Sequence, residues 1–571
     1  MSAKHPNLLV IMTDQLRHPT VYESEAVRRF RRETLTAETS LRESGVSLGR
    51  HYAMSAACTP SRASIMTGQY PSLHGVSQTD GLAKSADGKD MFWLAPDTVP
   101  TIGDWFRAGG YRTFYKGKWH VSHAHIDAPD GKGYLQTLKG DGTVIEENVA
   151  VYLKADLLDS YGFSEWVGPE AHGLGAQNMG MVRDPFTATE TIALLQRLDR
   201  DQNERPWLTV CSFLNPHDIS LFGVAGLAQG LRLDRSDAIP HIPQSPTHEE
   251  DLSTKPSCQQ SYVDAWGKIF MPQPWIPAQL RLYYQMQAAV DIQIGRVLDA
   301  LRATRAYDNT IVIFSSDHGE MLGAHGGMHQ KWHNAYEESI HVPFVVSSPL
   351  IQGGARDIQI PTSHADLLPT MLGFAGIDRD EALKGVAAGH SEAHPLVGRD
   401  LSGLILGDGQ SAPSDPVLFT TDDEISEGNE RAASPVQRYA RAVGIYEPIV
   451  QPNHIESVVA QVEIDGQQHL VKFSRYYDNQ QFWTEPGKRD ERLLRGKKIE
   501  TVTEPAPDQF ELYDLTLDPL EQKNLAYPGN ADDRSRKLQE RMLQLLVDQL
   551  AKKRLVPASG GAPGYRPPAT K

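Results

Sequence analysis

Short apolar runs recur along the chain, and segments with helical periodicity separate them. A short, continuous apolar run bounded by polar residues is typical of a strand that is buried on both faces. The predicted strands are Asn7–Thr13, Tyr111–Gly117, Trp207–Leu214, Thr310–Ser316 and Pro343–Ser348. Between them, Thr98–Gly110, with its helix beginning near Pro100, and Leu280–Arg305 have the apolar spacing of helices. Strands that alternate with helices predict a doubly wound α/β fold around a parallel sheet.

The pattern changes after about residue 400, where alternating strands replace the continuous apolar runs. Ser457–Asp478 has the alternation of two strands joined at Asp465-Gly466, which is a strong hairpin signal, and Asp532–Arg554 has the spacing of a terminal amphipathic helix. We therefore predict a smaller antiparallel sheet in this half. The predicted organisation is a catalytic α/β domain at 1–400 with an insertion at about 230–275, an α+β subdomain at 401–555, and a Pro/Gly-rich tail at 556–571.

Charge and cysteine content narrow the classes of function. The 571 residues include 56 basic and 72 acidic side chains, for a net charge of −16. That balance argues against a nucleic-acid partner, although a local pocket can still be positive and bind an anionic substrate. The sequence shows neither a secretory signal nor an apolar run of membrane-spanning length, so we expect a cytoplasmic protein without a membrane partner. Three cysteines cannot form a disulfide framework.

Four of the predicted strands end in chemically capable residues, in the sequences TDQ, KWH, NPHD and SDHGE. Ligands of open α/β sheets bind beyond the carboxyl ends of the strands, so these ends are expected to form one site. Asp14 and Gln15 follow one strand and Asp317 and His318 another, which suits a divalent cation. Carboxylate and amide oxygens favour Ca²⁺ or Mg²⁺, whereas an imidazole favours Mn²⁺ or a later metal. The alternative is a helix cap at Asp14 and a polar loop at Asp317-His318.

The stretch CTPSRASIMTG places Cys58 among hydroxyl groups and a guanidinium. A free cysteine is usually a small buried residue, and we interpret Cys211 in that way, while Cys258 suggests only a free thiol. The surroundings of Cys58 are too polar for an ordinary core. Arg62, one helical turn later, could lower the pKa of the thiol or bind an anion.

Cys58-Thr59-Pro60-Ser61-Arg62 matches the C-x-P-x-R signature of a known family, and further blocks follow in the family's order. These blocks are NLLVIMTDQ, GYRTFYKGKWH, NPHD, SDHGEMLGAHG and ELYDLTLDPLEQKNLA. Over about Asn7–Ala526 the chain thus resembles the formylglycine-dependent sulfatases of the alkaline phosphatase superfamily. The resemblance implies an alkaline-phosphatase-like mixed sheet flanked by helices. It also implies that a formylglycine-generating or sulfatase-maturing enzyme oxidises Cys58 to Cα-formylglycine, whose aldehyde hydrate is the nucleophile.

The resemblance also implies a role for each site residue. The implied ligands of a divalent metal are Asp14, Gln15, Cys58, Asp317 and His318. Arg62 and Lys118 would stabilise oxyanions, and Lys331 would pair with the oxygens of the transferring group. His120 would orient the second hydroxyl of the hydrate or take its proton, and His217 would protonate the leaving oxygen. The alternative is that the histidines are structural and the lysines are merely solvated.

Two departures from the commonest sulfatase pattern leave the metal and the substrate open. Asp14-Gln15 stands where many members have two acidic residues, and Asp317-His318 stands where many have Asp-Asn. Both departures resemble the phosphonate monoester hydrolase and phosphodiesterase branch of the superfamily. They leave Ca²⁺ and Mn²⁺ open, with Mg²⁺ also possible, and they leave sulfate and phosphonate or phosphate esters open.

The predicted function is hydrolysis of aryl or small-alcohol sulfate monoesters. One alternative is a phosphonate monoester hydrolase or phosphodiesterase with sulfatase side activity, and another is an unmodified protein that only binds anions. Recognition of the leaving group is predicted at Gly230–Trp275 and Ser77–Trp93. The tail could cover a neighbouring subunit, so a homo-oligomer is expected.

Overall fold

The computed structural model describes residues 5–80, 84, 86, 91–131, 133–171, 175–201, 203, 205–221, 238–269, 277–425, 449–494 and 498–558. The strands are β1 Asn7–Asp14, β2 Gly45–Tyr52, β3 Arg112–Gly117, β4 Trp207–Pro216, β5 Thr310–Ser316, β6 Phe344–Ser347, β7 Arg356–Ser363, β8 Val417–Thr421, β9 His454–Ile464, β10 Gln467–Tyr477, β11 Asp490–Leu494, β12 Lys498–Val502 and β13 Gln509–Asp514. The α-helices are α1 Glu25–Thr34, α2 Thr36–Ser44, α3 Cys58–Thr67, α4 Pro71–His74, α5 Ile102–Ala108, α6 Glu146–Ala155, α7 Gly180–Arg200, α8 Ser257–Ile269, α9 Pro277–Arg302, α10 Ala324–Gly327, α11 Glu337–Ile340, α12 Leu367–Ala375, α13 Arg379–Ala387, α14 Ser402–Leu406 and α15 Asp533–Lys553. None of the helices in these ranges is long and apolar enough to cross a membrane.

The main sheet has seven strands in the order β3-β4-β1-β5-β6-β2-β7. Strand β1 lies between two parallel neighbours, β4 and β5. Its side chains alternate between two apolar clusters, with Leu8 and Val10 in one and Leu9 and Ile11 in the other, and all four are buried. Burial on both faces explains the continuous apolar run in the sequence.

The sheet is mixed, as the family resemblance implies, because one strand runs against the rest. Strand β6 is antiparallel to both β5 and β2, so the parallel direction inferred from strand and helix alternation is wrong for this strand. All five predicted strands are present within two residues of their predicted ends. Strands β2 and β7 were not predicted, because polar and glycine residues interrupt their apolar pattern.

The predicted helices are present, but one segment differs from the prediction. Helix α5 begins at Ile102, two residues after Pro100, because Thr101 and Asp104 form a capping box there. Within the predicted insertion, α8 forms at Ser257–Ile269, a helix that the weak periodicity of this segment did not indicate. Residues 230–237 and 270–275 of the insertion lie outside the described part of the chain, as do residues 559–571 of the predicted tail.

A second, antiparallel sheet in the order β13-β10-β9-β8 confirms the predicted smaller sheet. Strands β9 and β10 form the predicted hairpin, with Asp465 and Gly466 at φ values of 52° and 80° in its turn. Helix α15 covers one face of this sheet with Leu538, Met542 and Leu546.

The second sheet also reaches the segment that leads into α3. The backbone N–H of Thr420 donates to the carbonyl of Met54 at 2.9 Å, and the Thr421 hydroxyl donates to the carbonyl of Ala56. Both donors belong to β8, so this strand lies directly against the residues that precede Cys58.

Candidate active site

The carboxyl ends of four adjacent strands meet the first turn of α3. In the sheet order β3-β4-β1-β5, Lys118 and His120 follow the first strand, His217 follows the second, Asp14 ends the third and Asp317 follows the fourth. Helix α3 begins at Cys58, and all ten of its residues are buried. The structure therefore brings together the residues that the strand ends predicted, at the edge where α/β sheets bind ligands.

Four ligand-type residues form one buried cluster here. One ligand atom from each of Asp14, Cys58, Asp317 and His318 lies within 4.8 Å of the others. Cys58 Sγ lies 3.1 Å from His318 Nε2 and 3.6 Å from Asp14 Oδ1. Each of the four side chains is at most 2% exposed. Two carboxylates, an imidazole nitrogen and a sulfur at this spacing fit a divalent cation.

Asp14 is surrounded by cations that keep it ionised. Its Oδ2 accepts hydrogen bonds from Lys118 Nζ at 2.6 Å and from Arg62 Nη2 at 3.1 Å. Burial alone would raise the pKa of Asp14, but the charges of Lys118 and Arg62 hold it well below its usual range.

Arg62 links the two carboxylates of the cluster. Besides its contact with Asp14, its Nε donates to Asp317 Oδ2 at 2.8 Å. Its Nη1 donates to the Lys118 carbonyl and to Ser212 Oγ, both at 2.9 Å. The guanidinium is fully buried, so its orientation is set by these four partners and not by solvent.

The pKa values of Asp317 and His318 are shifted in opposite directions. Burial and the neighbouring charge of Asp14 raise the pKa of Asp317, and a cation between the two carboxylates would remove that repulsion. Burial and then the charge of Lys331 hold the pKa of His318 well below its usual range, so the imidazole is neutral at pH 7. Its Nδ1 faces the Gly319 carbonyl at 2.9 Å, which leaves the Nε2 lone pair toward the cluster.

Gln15 is oriented from two sides. Its Nε2 donates to Glu320 Oε2, and its Oε1 accepts from Lys331 Nζ at 3.0 Å. The residue adopts a left-handed backbone, with a φ of 71°, and its carbonyl accepts from Tyr283 Oη at 2.8 Å. Glu320 thus determines which atom of the amide faces the site, and that atom is the oxygen, as a metal ligand requires.

The Cys58 thiol is not ionised in this environment. Burial and the charge of Asp14 raise the pKa of Cys58 to about 12, although Lys331 and Lys118 act in the opposite direction. Lys331 Nζ lies 3.4 Å from Sγ and 4.7 Å from the centre of the Trp332 ring. Arg62 pairs with the two aspartates, and the pKa of the Cys58 thiol is raised despite the charge of this guanidinium.

The two candidate proton-transfer histidines, His120 and His217, follow β3 and β4 at the same edge of the sheet as the cluster. His120 Nε2 is 3.2 Å from the Thr59 hydroxyl and contacts Asp80 Oδ1. Burial and then the charge of Lys118 hold the pKa of His217 well below its usual range. His217 also interacts electrostatically with Asp14 and His120, which places it beside the same cluster.

Sequence reasoning did not single out several residues that contact this site. Ser212 contacts Arg62, Asp80 contacts His120, and Glu320 contacts Gln15. Glu320 falls within the SDHGE sequence at the end of β5, so that block could have suggested it, whereas Asp80 and Ser212 carry no comparable signal. His325, which the sequence left unassigned, belongs to a separate buried cluster with Glu250.

Comparisons with known proteins agree with the geometry. The family model named Sulfatase matches residues 6–377, well over half of the chain. An uncharacterised sulfatase of Escherichia coli K12, YidJ, is 29% identical over 409 residues, which cover 67% of this chain and 70% of the relative. The choline-sulfatase of Rhizobium meliloti 1021 is 27% identical over 390 residues, with the same two coverages.

Solved structures share the fold at lower identity. A 2-O GAG sulfatase superposes with a TM-score of 0.61 at 20% identity, covering 96% of this chain and 93% of that one. The phosphonate monoester hydrolase of Agrobacterium radiobacter superposes with a TM-score of 0.57 at 21% identity, covering 95% and 96%. Together with the family match, these findings identify the chain as a member of the sulfatase family, within the alkaline phosphatase superfamily.

Proposed function

We propose that this protein hydrolyses sulfate monoesters, with aryl or small-alcohol sulfates as its substrates, after conversion of Cys58 to Cα-formylglycine. The observation that carries this proposal is the state of Cys58. The thiol is buried beside three other ligand-type groups and its pKa is raised to about 12, so the unmodified side chain is a poor nucleophile at neutral pH. Oxidation by a maturing enzyme would supply a hydrated aldehyde at this position, whose hydroxyl groups provide the nucleophile.

The donor set supports one divalent metal at the cluster. Asp14, Asp317 and His318 would bind it directly, together with residue 58, and Gln15 would add its oriented amide oxygen. Mostly oxygen ligands favour Ca²⁺, while the imidazole keeps Mn²⁺ and Mg²⁺ as the other candidates. When bound, the metal would supply positive charge that lowers the proton affinity of a hydroxyl group at residue 58.

The remaining cations would hold the sulfate group. Lys331 Nζ lies 3.4 Å from Sγ of residue 58, and Lys118 interacts electrostatically with the same residue. Burial strengthens such charge-assisted hydrogen bonds, because no solvent competes for the anion. Arg62 fixes both aspartates and so keeps the ligands in place.

Two histidines would move protons on opposite sides of the ester. His120 would take a proton from residue 58 when sulfate is released, and His217 would give one to the leaving oxygen. His217 is neutral at pH 7 in the ligand-free site, because burial and Lys118 lower its pKa. A bound anion would oppose Lys118 and raise the proton affinity of His217, which couples its role as an acid to substrate binding.

A second candidate is hydrolysis of phosphonate monoesters or phosphodiesters. Gln15 and His318 favour it, because they reduce the negative charge of the ligand set relative to an all-carboxylate site and provide an imidazole ligand. The likeness to a phosphonate monoester hydrolase supports the same fold but not the same substrate.

The deciding experiment compares kcat/KM for an aryl sulfate, an aryl phosphonate and an aryl phosphodiester on one matured sample, with Cys58→Ala as the control. The mass of the peptide that contains residue 58 reports whether conversion has occurred. A sulfate preference that Cys58→Ala abolishes is the expected result. A phosphonate or diester preference supports the second candidate, and a retained thiol in protein from the natural source, without turnover, supports the anion-binding alternative.

A further inference from the structure

A carboxylate–histidine pair lies beside the cluster, and the roles given above do not use its acidic member. Asp80 Oδ1 is hydrogen-bonded to His120 Nε2, and the two side chains are 3% and 8% exposed. His120 is the residue that would accept a proton from residue 58. Its partner therefore affects a chemical step of the proposed function, on which this inference rests.

Neighbouring residues contact both the backbone and the ring of His120. The backbone N–H donates to Glu170 Oε1 at 2.8 Å, and the residue adopts a left-handed conformation with a φ of 53°. The Thr59 hydroxyl lies 3.2 Å from Nε2, and the Trp93 ring centre lies 5.8 Å from the imidazole centre. Thr59 directly follows Cys58, so these contacts fix the ring next to the reacting position.

Asp80 is also anchored, by contacts that come from the second half of the chain. The backbone N–H of Thr79 donates to Asp423 Oδ1 at 3.2 Å, and Gln78 Nε2 donates to the carbonyl of Asp422 at 2.7 Å. Asp423 Oδ1 also lies 2.9 Å from the buried ammonium of Lys84. The chain on the N-terminal side of Asp80 is thus fixed by the end of β8.

The charged groups around His120 show what the carboxylate of Asp80 contributes, because Asp80 contacts the imidazole ring itself. Glu170 accepts from the backbone of His120, as it does from the N–H of Trp119, whereas Asp80 contacts the ring. His217 also interacts electrostatically with His120, and Lys118 lies two residues before His120 in the chain. The positive charge of Lys118 would oppose a proton added to His120, and the carboxylate of Asp80 would offset that repulsion.

We propose that Asp80 is a positioning residue for His120, which keeps the ring hydrogen on Nε2 and stabilises the imidazolium formed during sulfate release. In that step the O–H bond at residue 58 breaks and an N–H bond forms on His120, at the ring nitrogen that carries no hydrogen. The electron pair left on that oxygen forms the C=O bond of the aldehyde, while the C–O bond to the sulfate group breaks and sulfate leaves with its electron pair. Asp80 remains ionised and takes no proton. Solvent removes the proton from His120 before the next turnover. The arrangement follows the general rule that a base is oriented by a third group.

The test is the pH dependence of kcat in matured Asp80→Asn, which preserves the shape of the side chain and removes its charge. An opposite charge within about 4–6 Å shifts a pKa by about 1–3 units, so the acid limb of the profile should move to lower pH by about one unit or more. The plateau value of kcat should fall by about 10–100-fold, because His120 becomes a weaker base. KM should change much less, because Asp80 acts through His120 and not on the sulfate group.

A second readout does not depend on turnover. Deuterium exchange at the imidazole C2 atom, followed by mass spectrometry, reports the titration midpoint of His120 in unmodified Cys58→Ala protein. Adding Asp80→Asn should move that midpoint to lower pH, while Asp80→Glu should largely restore it. If sulfate esters are not hydrolysed by the matured enzyme, the proposed function fails, but this measurement still decides whether Asp80 controls His120.

A matched control uses another buried pair. Asp514 Oδ2 lies 2.7 Å from His469 Nδ1 in the second sheet, so Asp514→Asn also removes a carboxylate from a buried histidine. The Asp514→Asn variant should be less stable, but the acid limb of its kcat profile should not move. An Asp80→Asn enzyme with reduced kcat but an unchanged acid limb and an unchanged His120 midpoint would overturn the proposal.

Discussion

The raised pKa of Cys58 leads to a quantitative prediction about the unconverted protein. A thiol with a pKa of about 12 is ionised at pH 8 in about one molecule in 10⁴. An exposed cysteine with a pKa of about 8.5 is ionised in about one molecule in four at that pH. Since the thiolate is the reactive form, Cys58 should be alkylated at least about 10³-fold more slowly than an exposed thiol, before burial reduces access further.

The assay measures alkylation by iodoacetamide at pH 8 in metal-free protein made without a maturing enzyme, followed by peptide mass spectrometry. Cys211 and Cys258 are internal controls, because burial raises the pKa of both thiols as well. All three cysteines should react readily in denaturant. After maturation, denatured protein should have two reactive thiols and one aldehyde that reacts with a hydrazide.

Rapid alkylation of Cys58 in the folded protein would refute this reasoning. It would mean that Lys118 and Lys331 outweigh burial and the charge of Asp14, and that the thiolate is available as a nucleophile. A mechanism through cysteine itself would then replace conversion to formylglycine. Lys331→Ala separates the two cases, since it should slow alkylation further only if the thiolate depends on that lysine.

Three further predictions concern the surroundings of Cys58. Gly117→Ala should lower the free energy of unfolding in urea by at least about 1–3 kcal/mol, since Gly117 has a φ of 88° and a Cβ atom there would lie 2.0 Å from the Ser212 carbonyl oxygen. Lys331→Ala should raise KM for sulfate esters by about 10–100-fold, the value of a charge-assisted hydrogen bond of about 1.5–3 kcal/mol; Lys331→Arg should recover part of the loss, and equal KM values in all three proteins would argue against sulfate contact. Metal at about 100 times its Kd should stabilise the protein by about 2.7 kcal/mol, a gain that a chelator should remove and that Asp14→Asn should not show.

The sequence predicted the part of the fold that depends on continuous burial. Strand β1 lies between two parallel neighbours, so its apolar run was visible without any structural information. Strand β2 carries glycine, arginine and histidine among its apolar residues, and it was missed. The direction of β6 could not be predicted from the sequence either, because side-chain periodicity is the same for parallel and antiparallel neighbours.

The sequence predicted the residues of the site itself, but not the residues that hold them in position. Strand ends and one signature motif were enough to bring Asp14, Cys58 and Asp317 together, because topology forces carboxyl ends onto one edge. Asp80 and Asp423 carry no such signal. Asp80 is far from His120 in sequence, and Asp423 follows a short strand without a distinctive motif. Only the tertiary structure shows that Asp80 contacts His120 and that Asp423 binds the backbone next to Asp80.

The contact between β8 and the segment before Cys58 has a consequence for the timing of biosynthesis. Cys58 is 2% exposed in the folded chain, so the proposed converting enzyme would have to reach it before this region closes. Thr420 and Thr421, which bind the carbonyls of Met54 and Ala56, are made about 360 residues after Cys58, and at about 5–20 residues per second this takes about 20–70 s. Until then β8 does not exist to cover that stretch, and the nascent chain still offers the cysteine to the enzyme that would oxidise it.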